Sequence, residues 1–217
     1  MSCSITLKNI SYSNKDNILF ENINLSVGHE EKVAIIGSNG VGKSSLLKII
    51  AGIEESFFGE LYLFHHLIKD KKDYKKFRFE VGYLPQDISS FFLSPTVIED
   101  VMFSLRTTGI NKDEAYQKAL EILEQLEILH LKDRIIYELS GGEQKIVALA
   151  GILITKPKIL LLDEPTNALD EESEKRIIKI LNSIKKSMII ISHHKSFIEQ
   201  LTPTIYKLEN KKLIDYK

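Results

Sequence analysis

Cysteine is almost absent from this chain, Cys3 being the only one. A disulfide within the chain and a cysteine metal cluster are both excluded, because each needs further cysteines. An excess of charge of either sign is lacking too. Lys plus Arg number 29 against 30 for Asp plus Glu, which leaves no long-range field to recruit nucleic acid or an anionic bilayer. No nucleic-acid partner is expected. Long apolar runs are missing as well: the longest, 146–154, is flanked by Lys145 and Lys156 and falls well short of the roughly 20 residues a spanning helix needs. The opening Met-Ser-Cys-Ser-Ile-Thr-Leu-Lys has no basic stretch followed by an apolar one, so no secretory signal is expected. Any contact with a membrane is expected through a partner.

The 217 residues suffice for one sizeable core, or one core with a subdomain. Ile5 and Leu7, then Ile23, Leu25 and Val27, alternate with polar residues and predict a half-buried hairpin turning within 11–17. Beyond Lys32 the strands change character. The short, wholly apolar runs 33–36, 159–162 and 188–191 suit parallel strands buried on both faces. Asn111 followed by Glu114 resembles a capping box, and 114–129 places Ala115, Ala119, Leu123 and Leu126 on one helical stripe. Residues 171–186 do the same with Ile177, Leu181 and Ile184, and 204–216 predict a closing hairpin across Asn210. The pattern is α/β with a helical insertion between about 86 and 154.

Gly37-Ser38-Asn39-Gly40-Val41-Gly42-Lys43-Ser44 fits the phosphate-binding pattern G-x-x-x-x-G-K-[ST], and it stands between the 33–36 strand and a predicted 45–51 helix, as that mechanism requires. Glycines let backbone N–H groups turn onto phosphate oxygens. Lys43 reaches the β/γ-phosphates, Ser44 can ligate Mg²⁺, and Ser45 opens the helix whose N-terminus favours anions. Downstream, Ile159-Leu160-Leu161-Leu162-Asp163-Glu164 delivers two carboxylates at the end of a buried strand. Asp163 is placed for the metal shell, and Glu164 to orient or deprotonate the attacking water, because phosphoryl transfer depends on positioned charge. Alone, an Asp-Glu pair is more often a solvated turn; the preceding phosphate loop reverses that estimate. These residues define a P-loop nucleoside triphosphatase of no particular kind.

Leu139-Ser140-Gly141-Gly142-Glu143 narrows the reading, because it resembles the LSGGQ signature of ABC ATPases. The resemblance runs nearly the whole chain. Tyr12 looks like the aromatic residue that stacks on adenine, although strands favour aromatics in any case. Gln86 looks like the Q-loop glutamine that senses Mg²⁺ and water, Asn167-Ala168-Leu169-Asp170 like the D-loop, and His193 like the switch histidine, with His194 a bystander. Glu143 replaces the commoner Gln, and Ile146 stands where most relatives carry Arg. His65 and His66, adjacent on a predicted strand, point to opposite faces and do not suggest a shared metal.

The resemblance implies a RecA-like P-loop core with a mostly parallel sheet, an N-terminal antiparallel β subdomain and an inserted α-helical subdomain. It divides the single 1–217 domain into a nucleotide-binding core of 1–86 and 155–217 and a helical signature subdomain of 87–154. ATP and Mg²⁺ are the implied cofactors, with Ser44, Gln86 and Asp163 at the metal and Asp170 among the nucleotide contacts. Ser140 and the Gly141-Gly142 backbone would meet ATP held on a second ATPase subunit, identical or different.

The expected machine is a membrane transporter whose spanning subunits are separate chains, with this one peripheral on the cytoplasmic face. A soluble ABC ATPase of iron–sulfur cluster assembly is the alternative. Pro95-Thr96-Val97-Ile98-Glu99-Asp100-Val101, Asp133-Arg134 and Ala150-Gly151-Ile152-Leu153 resemble the cobalt/nickel and energy-coupling-factor vitamin importers, although Phe91 occupies a position those relatives usually fill with glutamine. Phe91-Phe92-Leu93 is expected either to line the groove that receives the membrane partner or to pack inside the insertion.

Overall fold

The computed structural model describes residues 3–15 and 17–216. Met1 and Ser2, read above for a leader, and Asp16, one position of the expected turn, lie outside the described residues, as does Lys217. Strands β1 (Cys3–Asn14) and β2 (Asn17–Gly28) form the opening hairpin, and their pairing runs on to Asn14 opposite Asn17. Much of the expected 11–17 turn is therefore strand. Of the four register shifts along this hairpin, the middle two decide which residues face the core. One extra residue enters β1 between Leu7 and Ile10, and one enters β2 between Ile23 and Phe20, at Asn9 (φ 52) and Asn22 (φ 54). Because strand periodicity is 2, each insertion moves the residues beyond it to the other face, and Ile10, Tyr12 and Phe20 join Ile5, Leu7, Ile23, Leu25 and Val27 in the core.

β4 (Phe58–Leu63) and β5 (His66–Ile68) complete a four-stranded antiparallel sheet in the order β2-β1-β4-β5. Phe64 and His65 make the tight β4–β5 connection, both at positive φ, so His65 sits in a turn and not on a strand beside His66. The second sheet has six strands in the order β10-β9-β3-β8-β7-β6. Its members are β3 (Lys32–Ile36), β6 (Val81–Leu84), β7 (Ile159–Asp163), β8 (Ser187–Ile191), β9 (Ile205–Glu209) and β10 (Lys212–Asp215). The pairs β6–β7, β7–β8, β3–β8 and β3–β9 are parallel. All of β7 and β8 is buried, as continuous apolar strands require. The β9–β10 hairpin closes through Asn210 and Lys211, both at positive φ, the turn geometry that matches strand twist.

Helix α1 (Lys43–Ile50) follows β3, and α2 (Lys71–Phe77) precedes β6. The insertion then contributes α3 (Val97–Arg106), α4 (Lys112–Gln125) and α5 (Gly141–Leu153), while α6 (Glu171–Ser183) and α7 (Lys195–Glu199) flank β8. Helices α3, α4 and α5 pack on one another. The stripe Ala115, Ala119, Leu123 and Leu126 is buried. Asn111 does cap α4 through Glu114 N, but Glu114 turns to Lys118 instead of closing the capping box. Helix α6 stops at Ser183, leaving Ile184 extended. One apolar cluster joins α3–α6 to the sheet, and Ile146 lies inside it, 1% exposed. An apolar side chain is therefore at home where relatives carry Arg.

Phe91-Phe92-Leu93 splits along the same boundary. Phe92 is core at 6% exposed, Phe91 packs on that core, and Leu93 is 68% exposed. Neither alternative holds for the whole run: Phe92 packs inside the insertion, while Leu93 and part of Phe91 reach the surface.

Candidate nucleotide site

Parallel strands deliver the site's residues at their carboxyl ends, where open α/β sheets bind ligands. β3 leads into the 37–42 loop, β6 into Pro85-Gln86, β7 into Asp163-Glu164, and β8 into Ser192-His193. Between them lies a cavity of ≈ 590 Å³, within the usual range for small-molecule sites. Of the predicted residues, Asn39, Gly40, Gly42, Lys43, Ser44, Ser45, Gln86, Asp163, Glu164 and His193 line it.

Gly42 caps α1 at φ 106, and a Cβ there would come 2.9 Å from the Phe20 ring. Only glycine tolerates both the conformation and the contact. Lys43, the first residue of α1, is 6% exposed, and its ammonium donates to the carbonyls of Gly37 (2.7 Å) and Ser38 (2.9 Å). The loop is thus tied around its own lysine. Burial pulls the Lys43 pKa down, against the opposing fields of Glu164 and Asp163. Gly37, Ser38 and Val41 shape the loop from outside the lining.

Asp163 is 2% exposed, and burial raises its pKa, opposed by the Ser44 hydroxyl. Among the described residues its Oδ1 is the sole buried side-chain N or O atom without a hydrogen-bond partner, while Tyr83 Oη stands 3.5 Å from its Oδ2. An orphaned carboxylate oxygen is costly in a folded interior. Together with the hydroxyl of Ser44 and the amide of Gln86 it forms a hard-oxygen donor set that fits Mg²⁺. Glu164, 6% exposed, holds φ 48, a strained setting for a side-chain-bearing residue that is concentrated at functional sites. Its amide donates to Ile191 O at 2.9 Å, and its Oε2 lies 3.0 Å from His193 Nδ1. His194 is more than a bystander in packing terms: its ring meets the His193 ring edge-on at 4.3 Å, and its Nδ1 is 3.7 Å from Glu174.

Tyr12 and Asp170 also stand outside this lining. Tyr12 is 8% exposed, tilts against Phe20 and donates to Glu54 Oε2 at 2.9 Å. It does not line the cavity. The bulge at Asn9 sets the facing of this ring. Asp170 caps α6, accepting from Ser173 N (2.9 Å) and Oγ (3.0 Å), whereas Asn167 of the same loop lines the cavity. Sequence reading overlooked Asn167 as an individual contact, together with Leu19 and Ile191.

The signature residues stand apart from the cavity lining. Ser140 caps α5 with a capping box: Glu143 N donates to Ser140 Oγ, and Glu143 Oε2 accepts from Ser140 N and Oγ, each at 2.8 Å. The Ser-x-x-Glu spacing was a legible cap signal that the signature resemblance obscured. A Cβ on Gly142 would come 2.2 Å from Ser173 Oγ, so glycine lets α5 close on the start of α6, while Gly141 is exposed.

A phosphate loop, an acidic strand end and a His–Glu pair at the carboxyl ends of parallel strands define a P-loop nucleoside triphosphatase. Comparison with known proteins carries this further. The ABC transporter family matches residues 20–167. A protein of Brucella suis biovar 1 named as an ABC transporter ATP-binding protein is 39% identical over 97% of this chain and 87% of its own length. The energy-coupling factor transporter ATP-binding protein EcfA of Methanothermobacter thermautotrophicus is 38% identical over 97% and 69%. Among solved structures, CbiO1 of Clostridium perfringens, part of the ABC transporter complex CbiONQ, superposes with TM-score 0.87 at 28% identity, covering 99% of this chain and 88% of that one. The chain belongs to the ABC transporter family as an ATP-binding subunit, and it is an ATPase. No helix among the described residues is long and apolar enough to cross a membrane.

Proposed function

We propose that this chain is the ATP-hydrolysing motor of an importer of a metal ion or vitamin, peripheral at the cytoplasmic face and acting on separate membrane-spanning subunits. The observation carrying the catalytic part is the convergence of Lys43, Ser44, Gln86, Asp163, Glu164 and His193 on one cavity. Likeness to EcfA and CbiO1 supports the importer class, and relatives named as transporter proteins favour it over iron–sulfur assembly. Mutual packing of α3, α4 and α5 supports a helical signature unit of 87–154 set against a core of 1–86 and 155–217.

In this reading the loop amides and Lys43 hold the phosphates, and Ser44, Gln86 and Asp163 hold Mg²⁺. The ion, when bound, neutralises charge on the phosphate oxygens. Glu164 accepts a proton from a water whose oxygen bonds to the γ-phosphorus as the bond to the β–γ bridging oxygen breaks, releasing ADP and phosphate. His193 orients the Glu164 carboxylate and faces the γ-phosphate. Ser140, with the backbone of Gly141-Gly142 and Glu143, serves ATP on a second ATPase subunit; the separation of these residues from their own cavity supports that division.

The test is affinity purification of the tagged chain from membranes of cells that express it. Co-purification with a spanning subunit and ATPase stimulation by it are expected. Recovery as a soluble complex with an iron–sulfur scaffold would reverse the reading.

A further inference from the structure

Lys145 is a cation in the interior, only 5% exposed, on the second turn of α5. No carboxylate forms an ion pair with it among the described residues. Its ammonium instead donates to two backbone carbonyls 59 and 60 residues away, Gln86 O at 2.7 Å and Pro85 O at 3.3 Å. Asp163, Asp87 and Glu164 contribute a field that favours the charged form against the cost of burial. A lysine taken out of water is destabilising unless its donors are matched, and these carbonyls accept two of its three. A second clamp lies three residues before Pro85: a Cβ on Gly82 of β6 would come 2.4 Å from Ile152 Cγ2 of α5, and glycine there lets the helix seat directly on the strand. Strand β6, the Gln86 loop and α5 are thereby fastened at two places.

We propose that Lys145 is a positioning residue that locks the backbone of the Gln86 loop to α5, so that loop and helix move as one body and the Gln86 side chain stays directed at the cavity. The proposal rests on the reading of Gln86 as a ligand of the bound nucleotide's metal and water. Gln86 is exposed and its carbonyl is the grip; the side chain remains free to respond to what occupies the cavity.

The experiment compares Lys145→Met, which keeps the length and removes the donors, with Lys145→Arg, Gln86→Ala and the Lys145→Met/Gln86→Ala double variant, in the full-length chain. Steady-state ATPase and binding of a fluorescent ATP analogue are measured for each, with thermal melting to establish folding. The expected result is a kcat at least tenfold lower in Lys145→Met with ATP affinity within about twofold, recovery to within about threefold in Lys145→Arg, and a double variant no worse than Gln86→Ala alone, as residues acting through one another give. If Lys145→Met does not fold, Lys145→Leu, also without donors, carries the same comparison. Unchanged kcat in the donor-free variant, or a double variant whose loss is the product of the single losses, overturns the proposal. Should Gln86→Ala itself hydrolyse ATP at the wild-type rate, the underlying reading of Gln86 fails instead.

Discussion

The imidazole of His193 joins the carboxylate of Glu164 across the ends of two neighbouring strands, Nδ1 to Oε2 at 3.0 Å. β7 and β8 pair in parallel up to Asp163 opposite Ile191, and the Glu164 amide continues the contact to Ile191 O. The proposed general base and the group proposed to orient it are therefore held by the most buried part of the sheet. Removing either should disable one unit. His193→Ala is expected to lower kcat by roughly 10²-fold, and the His193→Ala/Glu164→Gln double variant should be no slower than Glu164→Gln. Single-turnover hydrolysis of the four proteins measures this.

Phe92 and Leu93 are neighbours with opposite environments, 6% and 68% exposed. Phe92 meets Phe91 and Tyr137 edge-on, with centroids at 5.7 and 6.5 Å. A charge at Phe92 lies in the core, and Phe92→Asp should destabilise the isolated chain by about 3 kcal/mol or more. Leu93→Asp should leave its melting temperature unchanged and reduce partner-stimulated ATPase. Urea unfolding and stimulation by the membrane subunit separate the two.

Hydrogen bonds from the Ser140 backbone and hydroxyl hold the Glu143 carboxyl below its usual range. A depressed folded-state pKa means the carboxylate stabilises fully above the unfolded-state value near ~4.3 and loses that contribution as pH falls through the folded-state value. Glu143→Ala is expected to cost about 1 kcal/mol at neutral pH, and the gap from wild type should close on acidification below the carboxylate range. Urea unfolding across pH reads it. A gap independent of pH would contradict the capping role.

Most of the site was legible because its residues follow parallel strands whose apolar runs and carboxyl ends are visible in one dimension. β3, β7 and β8 could be drawn from the sequence, and with them the placement of Lys43, Asp163, Glu164 and His193. What escaped depends on events that leave little local signal. A one-residue bulge at Asn9 inverts the facing of Tyr12, and simple alternation from Ile5 does not register the insertion. Phe91-Phe92-Leu93 is uniformly apolar, so only packing against the insertion reveals which ring is inside. Lys145 looked like a flank of an apolar run, since nothing local says its ammonium will meet a carbonyl on the Gln86 loop.

Tyr12 gives a direct check on that account. Tyr12→Phe removes the bond to Glu54 and keeps the ring, so either role leaves ATP affinity unchanged; Tyr12→Leu, which fills the core but has no ring face, should keep ATP affinity within about twofold if the ring is core alone and lose more than that if it is a base platform. Equilibrium binding decides between a core ring and a base platform.

Glu164→Gln tests the central claim most directly, because the amide keeps the shape and the contact region of the side chain while removing its capacity to take a proton. Binding of Mg-ATP should persist, hydrolysis should fall by at least about 10²-fold, and ATP-bound dimers should accumulate in size-exclusion chromatography. Wild-type turnover in Glu164→Gln would contradict the account and require another base.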